Sequence, residues 1–483
     1  MNKTRFRRLL FAAACLGLTG CAPLMPAQTA HAPATPASWN RIDPVAQPAV
    51  LAEPAGDIAQ WWQRLGDPLL TALIEEGRLA SPDLRSARAR VSEARARRTV
   101  TAADQFPDLT ASAQASRSRS SEETGSGAPR NFFSAGLDSA WEVDLFGRTR
   151  RGVDAADADI DVARANFDGA QVSLAAEIAQ NYVEVRAAQL RLTIARANLD
   201  AQSETLQLTE WRAEAGLASS QEVEQARSNR EQTRAQLPVL ETNLAEAEHG
   251  LDDLLGHPPG TLHARLAGYA ALPVVPARLA VGIPADALRQ RPDVRAAERA
   301  LAAEIARTEA AEAARYPSFR LSGSLGLEAL RIGALGNGGA ATASLLGGLT
   351  APLFDAGRLR AQAEAQDAVR ERAQVSYEQT VLTALREAEN ALVGLVRSRE
   401  REQALAGAAD AARRAAELAR QRYGAGLIDF QSVLDTERTR LSVEDSLART
   451  RADGVLALIR LYKALGGGWS PPDAADPARK EST

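Results

Sequence analysis

Two segments of the chain, Arg148 to Ala215 and Arg358 to Tyr423, run for 68 and 66 residues without a proline. In the second, Leu382, Leu385, Leu392 and Val396 keep close to a seven-residue spacing, the mark of a helix seam packed on neighbours. Ala, Leu, Arg, Glu and Gln fill most of both segments, and these residues lose least on entering a helix. At 1.5 Å per residue each helix would be roughly 100 Å long. That exceeds the ordinary globular range and points to a coiled coil, a repeat or a tube.

A second period precedes each long helix. Leu109, Ala111, Ala113 and Ala115 alternate with Thr110, Ser112, Gln114 and Ser116. After a turn at Thr124 to Pro129, the residues Phe133, Ala135, Leu137, Trp141, Val143 and Leu145 oppose Ser134, Gly136, Asp138, Glu142 and Asp144. Further on, Phe319, Leu321, Leu325 and Leu327 oppose Arg320, Ser322, Ser324 and Glu328. A turn near Gly336 to Gly339 leads to Ala343, Leu345, Leu349, Ala351 and Leu353 on one side. Period-two alternation predicts four β-strands, each with one apolar and one polar face. Such a sheet can lie on a soluble core; it also carries the pattern of a membrane barrel, lipid outside and water inside. Each strand reaches the about 9–11 residues that cross a bilayer. Four strands cannot close a barrel, since the smallest have about eight, and lipid tolerates no open edge. A lipid-facing sheet of four therefore requires several copies of the chain.

The chain also repeats itself. Pro82-Asp83 returns as Pro292-Asp293, Phe106-Pro107 as Tyr316-Pro317, Ala215-Gly216-Leu217 as Ala425-Gly426-Leu427, and Leu255-Gly256 as Leu465-Gly466, each pair 210 residues apart. Leu145-Phe146 and Leu353-Phe354 are 208 apart. A period this long is a duplicated half rather than a small solenoid repeat. Within each half the order is helix, strand, turn, strand, long helix, tight turn, helix. In the first half the short helix spans Asp83 to Gln105, and the helix after the tight turn spans 220–255. The tight turns place glycine where the chain must reverse, and Ser219 or Asp429 can cap the helix that follows.

Composition narrows the function. The formal charge is −4, from 57 basic and 61 acidic residues, with Arg interleaved among Asp and Glu, which lends nucleic-acid binding little support. Aromatics make up 5% of the 483 residues, too few for a large globular core but suited to thin, Ala-packed helices. The N-terminus reads as an export signal, with Lys3, Arg5, Arg7 and Arg8 before a short apolar run, Leu9 to Leu18. The run ends in Leu18-Thr19-Gly20-Cys21, a lipobox-like end that marks Cys21 for lipidation. Removal of Cys15 with the signal leaves Cys21 alone, so no disulfide forms within one mature chain. No later apolar run is long enough for a transmembrane helix. The expected layout is a signal at 1–20, a Pro/Ala-rich arm at 21–56, repeats at 57–275 and 276–468, and a tail at 469–483.

Enzyme signatures are absent: no G-x-x-x-x-G-K-[ST], no G-x-S-x-G and no H-E-x-x-H. No catalytic residue, metal site or bound cofactor is expected beyond the lipid on Cys21. His257 and His263 could form a metal pair, although solvent-facing loop histidines are the simpler reading. From the residues alone, Asp435 and Arg438 are an exposed i,i+3 ion pair worth about 0.3–0.5 kcal/mol.

The lipobox, Trp61-Trp62, Leu145-Phe146-Gly147-Arg148 and Arg422-Tyr423-Gly424-Ala425-Gly426, together with the element order, resemble the outer-membrane efflux protein family (TolC/OprM-like), in its NodT-type lipoprotein branch. The resemblance covers Asp57 to Gly468. It implies a mainly α chain with four β-strands, three copies of which form a 12-stranded barrel in the outer membrane above a long coiled α-helical tunnel. It implies an exit duct for small toxic molecules, partnered by a periplasmic adaptor (membrane fusion) protein and a proton-driven inner-membrane transporter. The alternatives are a channel for type I polypeptide secretion and a lipid-anchored coiled-coil spacer. The resemblance makes Ala215, Gly216, Leu217, Ser219, Ala425, Gly426 and Leu427 the adaptor-docking tips. Val433-Leu434-Asp435-Thr436-Glu437-Arg438 is similar to the family's V-L-D-A-Q-R stretch, which implies a tunnel gate of Asp435, Arg438 and Tyr423. Thr436 and Glu437 depart from that stretch. Ser432 stands where some relatives carry a second aspartate, which makes the ring less acidic.

Overall fold

The computed structural model describes residues 34–39, 50–51, 58–268, 270–276, 279–280 and 284–469. The export signal, Cys21 and residues 470–483 lie outside the described residues. In chain order the elements are β1 (Val50–Leu51), a 3-10 turn at Trp61–Leu65, α1 (Pro68–Ala80), α2 (Pro82–Ala103), β2 (Asp108–Arg119), β3 (Pro129–Val143), α3 (Arg148–Glu214) and α4 (Ser220–Leu255). There follow α5 (His263–Leu266), β4 (Leu279–Ala280), α6 (Pro284–Gln290), α7 (Pro292–Ala313), β5 (Ser318–Ala329), β6 (Ala341–Thr350), α8 (Arg358–Gly424) and α9 (Phe430–Ala464). The bounds of α2 and α7, of β2 and β5, and of α3 and α8 are each 210 residues apart. The repeat read from residue pairs is therefore a repeat of elements. No helix among the described residues is long and apolar enough to cross a membrane.

Local chemistry accounts for several boundaries. Asp67 caps α1, its carboxylate accepting from the amides of Leu69 at 2.9 Å and Leu70 at 3.0 Å, with Pro68 at the first helical position, where its missing N–H costs nothing. Ser219 and Asp429 cap α4 and α9 by accepting from the amides of Glu222 and Ser432, as the sequence predicts. β6 stops at Thr350, short of the expected Ala351 and Leu353. Pro352 lacks the N–H that a continuing ladder needs. Helix α4 continues through Pro238.

The chain divides into two compact units. One comprises Val91–Ala163 and Ala297–Tyr377 and contains the sheet. The strands lie in the order β2-β3-β5-β6, all antiparallel.

The other unit comprises Pro33–Arg90, Arg164–Ala296 and Glu378 onward and holds the main core. Trp61 stacks on Tyr462 at 5.2 Å and meets Trp62 edge-on at 5.9 Å. Around them are Leu70, Leu73 and Ile74 of α1, Ile178 and Tyr182 of α3, Leu251 and Leu255 of α4, and Leu458 and Leu461 of α9. Buried Arg186 has several partners. It donates to the Tyr182 hydroxyl at 3.1 Å and to the carbonyls of Leu266 and Gly268 at 3.1 and 2.7 Å, which offsets the cost of burying its charge. Burial, reinforced by a 2.6 Å hydrogen bond to Asp67, pushes the Tyr182 hydroxyl up to about 12. Trp469, expected in the tail, is instead buried and donates to Gln290 O at 2.9 Å. A two-residue parallel pairing joins β1 to β4.

Candidate functional site: a two-faced sheet and a helical tip

Register decides what the sheet can do. Ala113 faces Ala135, Ala135 faces Leu327, and Leu327 faces Ala341. Odd-numbered residues therefore oppose odd-numbered residues across all four strands, and one face collects Leu109, Ala111, Ala113, Phe133, Ala135, Leu137, Trp141, Leu321, Leu325, Leu345 and Leu349. Leu109, Leu137, Leu325, Leu345 and Leu349 are exposed in the single chain. The even-numbered face carries Thr110, Ser112, Gln114, Asp138, Glu142, Arg320, Ser322, Ser324 and Ser344. Ser112 donates to Asp138 at 3.1 Å, and the Ser324 and Ser344 hydroxyls meet at 2.7 Å. Phe132 and Leu346 are the large apolar exceptions on this face. The arrangement offers hydrocarbon one surface and water the other. Leu145 lies past the end of β3.

In the second unit, the two tight turns have the same construction. Gly216 and Gly426 adopt φ of +70° and +75°, a left-handed conformation that L residues enter at a steric cost. The amides of Leu217 and Leu427 then reach back to Arg212 O at 2.7 Å and Arg422 O at 2.9 Å, closing the ends of α3 and α8. Ala215 and Ala425 donate to Trp211 O and Gln421 O. Leu217 and Leu427 are 68% and 73% exposed, and Trp211 beside them is 59% exposed. Three large apolar side chains are thus left in water at or near the two turns.

Tyr423, at the end of α8, is buried. Its ring meets Phe430 at 5.6 Å, in a cluster with Leu206, Ala226, Ala419, Val433 and Leu434. The Arg212 guanidinium sits 4.5 Å over the ring and donates to Tyr423 O at 2.7 Å, and the Tyr423 hydroxyl donates to Glu222 at 3.3 Å. Burial pushes the hydroxyl pKa up. Asp435 and Arg438 are both exposed on α9, but the ion pair expected between them is not formed. Arg438 turns to Asn229 of α4 at 3.1 Å, and Asp435 accepts from Gln431 at 2.9 Å. Asn229 is buried, so the arginine supplies a donor that its carbonyl oxygen needs. Ser432 is occupied with the cap, donating from its hydroxyl to Asp429 at 2.5 Å.

The sequence reading missed four participants: Arg212, Trp211, Asn229 and Glu222. A lone tryptophan five residues before a turn glycine was the available signal. A buried carboxyl, Glu437, also joins α9 to α3, meeting Thr205 Oγ1 at 2.6 Å. The two histidines, His257 in the loop and His263 at the start of α5, have separate partners. His257 pairs with Glu76 and His263 with Glu248, each at 2.8 Å, and no group of metal-binding side chains occurs among the described residues.

The sequence profile described as "Outer membrane efflux protein" matches residues 73–257 and again residues 283–467, spans whose bounds also differ by 210. "Nodulation protein T" of Rhizobium leguminosarum bv. viciae is 33% identical, over 89% of this chain and 88% of its own length. "Pyoverdine export outer membrane protein OpmQ" of Pseudomonas aeruginosa is 33% identical, over 98% of this chain and 99% of its own. Among solved structures, the outer-membrane channel OprN is similar with a TM-score of 0.84 and 37% identity, over 92% of this chain and all of that one.

Proposed function

Since this chain belongs to the outer membrane efflux protein family and is an outer-membrane efflux duct, we propose that three copies together form the exit end of a tripartite pump. The observation that carries the trimer is the sheet: four strands, one apolar face, and no closure within one chain. Twelve strands from three copies close a barrel with the Ser112, Asp138 and Ser324 face toward water and the Leu325 and Leu349 face toward lipid. The long helices continue the water path, and a lipid on Cys21 adds an anchor to the barrel. The halves 57–275 and 276–468 each supply one hairpin of strands. A spacer without a pore has no use for such a sheet.

At the tip, Leu217, Leu427, Gly216, Gly426, Ala215, Ala425 and Ser219 dock a periplasmic adaptor, and energy comes from a proton-driven inner-membrane transporter. Asp435 and Arg438, with Tyr423 behind them, ring the tunnel's narrow end on the three-fold axis. Links from Tyr423 to Glu222, Arg438 to Asn229 and Arg212 to Tyr423 hold the α8–α9 hairpin against the α3–α4 hairpin, and docking would loosen them. The cargo class is small toxic molecules.

The test is the purified, detergent-extracted protein. Native mass spectrometry should give a trimer, and planar bilayers should show discrete ion conductance. A monomer without conductance rejects the duct. Cysteines at Ala218 and Ile428 should cross-link to the adaptor in cells; labelling of these sites by reagents confined to the cell surface would reverse the orientation.

A further inference from the structure

Helices α3, α8 and α9 and the turn into α7 enclose a cavity of about 770 Å³, all of it within the unit that holds the main core. That volume lies in the range of small-molecule sites, about 300–1,000 Å³. The space exists because small residues line it: Ala165 and Gly169 of α3, Ala391 and Gly394 of α8, and Ala457 of α9. A Cβ added at Gly394 would meet nothing nearer than Ala457 Cβ at 4.0 Å. Asn166, Ser173, Gln180 and Asn390 also line the cavity. Among the described residues, none of these four side chains has a hydrogen-bonding partner. An apolar floor with a few converging polar groups is the form of a site for an organic molecule.

Charge is divided between the two ends of this cavity. At one end the buried Arg291 is shared by two carboxylates, Asp293 at 2.6 Å and Glu387 at 2.7 Å, and donates to Ala464 O at 3.1 Å. One guanidinium between two carboxylates leaves negative charge in excess, and both carboxylates are half-exposed. Arg460, which also lines the cavity, precedes Ala464 by one helical turn, about 6 Å along α9. Helical side chains lean toward the N-terminus, which carries its guanidinium further from the Arg291 end. No described residue forms an ion pair or hydrogen bond with Arg460. Lys463, by contrast, faces Glu177 at 3.7 Å.

We propose that this cavity binds a zwitterionic small molecule with an apolar body, its ammonium beside Asp293 and Glu387 and its acid group at Arg460. A simple anion would meet the two carboxylates, and a simple cation would leave Arg460 unanswered. Opposite charges at the two ends of one apolar body satisfy both. The site is built within one chain, so it stands apart from the duct and the ring of copies proposed above.

Isothermal titration calorimetry of the full-length protein in detergent, at neutral pH, tests the site. The probe is para-(aminomethyl)benzoate, with benzylamine and para-methylbenzoate as controls that each keep one charge. One zwitterion should bind per chain, about tenfold more tightly than either control, since a charged hydrogen bond is worth at least that factor. Arg460→Gln should weaken the zwitterion about tenfold and leave benzylamine unchanged, a selectivity that general loss of structure would not produce. Gly394→Leu should fill the floor and abolish binding of all three probes, with native mass spectrometry and the thermal midpoint showing that the variant is still folded. Equal affinity for the zwitterion and the controls overturns the site. So does the absence of binding to the wild-type protein, or zwitterion binding that neither variant diminishes.

Discussion

Replacing Arg212 by alanine should loosen the tip without unfolding the protein. The guanidinium makes two contacts of consequence: the face of Tyr423 at 4.5 Å and Tyr423 O at 2.7 Å. The first is worth about 0.5–2 kcal/mol and a hydrogen bond from a charged donor about 1.5–3 kcal/mol. Arg212 is only half-buried and its Nε lacks a partner, so the lower ends of both ranges apply and the net loss is about 2 kcal/mol. Since 1.4 kcal/mol is a factor of ten, opening of the tip becomes about 30-fold more frequent. Hydrogen exchange of the purified protein reads this directly. Amides in 205–215 and 419–430 should exchange about 30-fold faster, while those around Trp61 and Tyr462, in a separate apolar cluster, keep their protection. Single-channel conductance should rise in parallel. Unchanged exchange at the tip, or equal loss in the Trp61 core, would refute this account of how the hairpins are held.

Four further outcomes are expected. Gly466→Ala should cost about 3 kcal/mol in thermal stability, because the residue has φ +78° and its Cβ would lie 2.7 Å from Gln290 O; Gly260→Ala, at φ +90° with open space, should cost only about 1 kcal/mol. Asp435→Ala with Arg438→Ala should raise single-channel conductance and admit vancomycin, and unchanged conductance in an intact trimer returns both to ordinary surface residues. Mass spectrometry should find the mature N-terminus at a lipidated Cys21 and Cys21→Ser should impair maturation more than conductance; an unmodified start downstream ends the idea. Burial raises the Glu437 pKa, against the Thr205 hydrogen bond and the charges of Arg420 and Arg440. The folded state thus binds the proton more tightly than the unfolded one, and stability should rise as pH falls through the folded pKa toward 4.5. Glu437→Gln should flatten that slope and stabilise the protein at neutral pH, as thermal midpoints between pH 5 and 7 would reveal.

Periodicity carried most of the fold. The alternation in Leu109 to Ser116 and in Phe133 to Val143 places those strands on the right residues, because a half-buried or lipid-facing strand must alternate at every position. The ladder's end at Thr350 was also written in the chain, at Pro352. Features without a period were hidden. The β1–β4 pair spans two residues on each side, too short to carry any pattern, and Val50 sits in a proline-rich stretch that reads as linker. Trp469 looked like the start of a tail because its partners, Gln290 O and the Arg295 guanidinium at 4.7 Å, lie far away in sequence. The Asp435–Arg438 pair was misjudged for a related reason. Spacing of three residues puts two side chains within reach of each other, but a buried Asn229 on the neighbouring helix competes for the arginine, and nothing local shows which helix will be the neighbour.

The duplication separates what serves the fold from what serves the site. At the two tips the backbone repeats: glycine at 216 and 426, the return bonds from Leu217 and Leu427, and an oxygen cap from Ser219 and Asp429. Those features are needed twice because two helices must reverse. Several of the side chains around them do not repeat. Tyr423 stands where the first half has Ala213, Asp435 where it has Gln225, and Arg438 where it has Ser228. If this chemistry only stabilised a helical hairpin, the first half would need it equally, since its turn has the same geometry. The links run both ways: Tyr423 and Arg438 of the second half donate to Glu222 and Asn229 of the first, and Arg212 and Thr205 of the first half donate to Tyr423 O and Glu437 of the second. Each hairpin therefore holds the other, mostly through residues that the duplication did not copy.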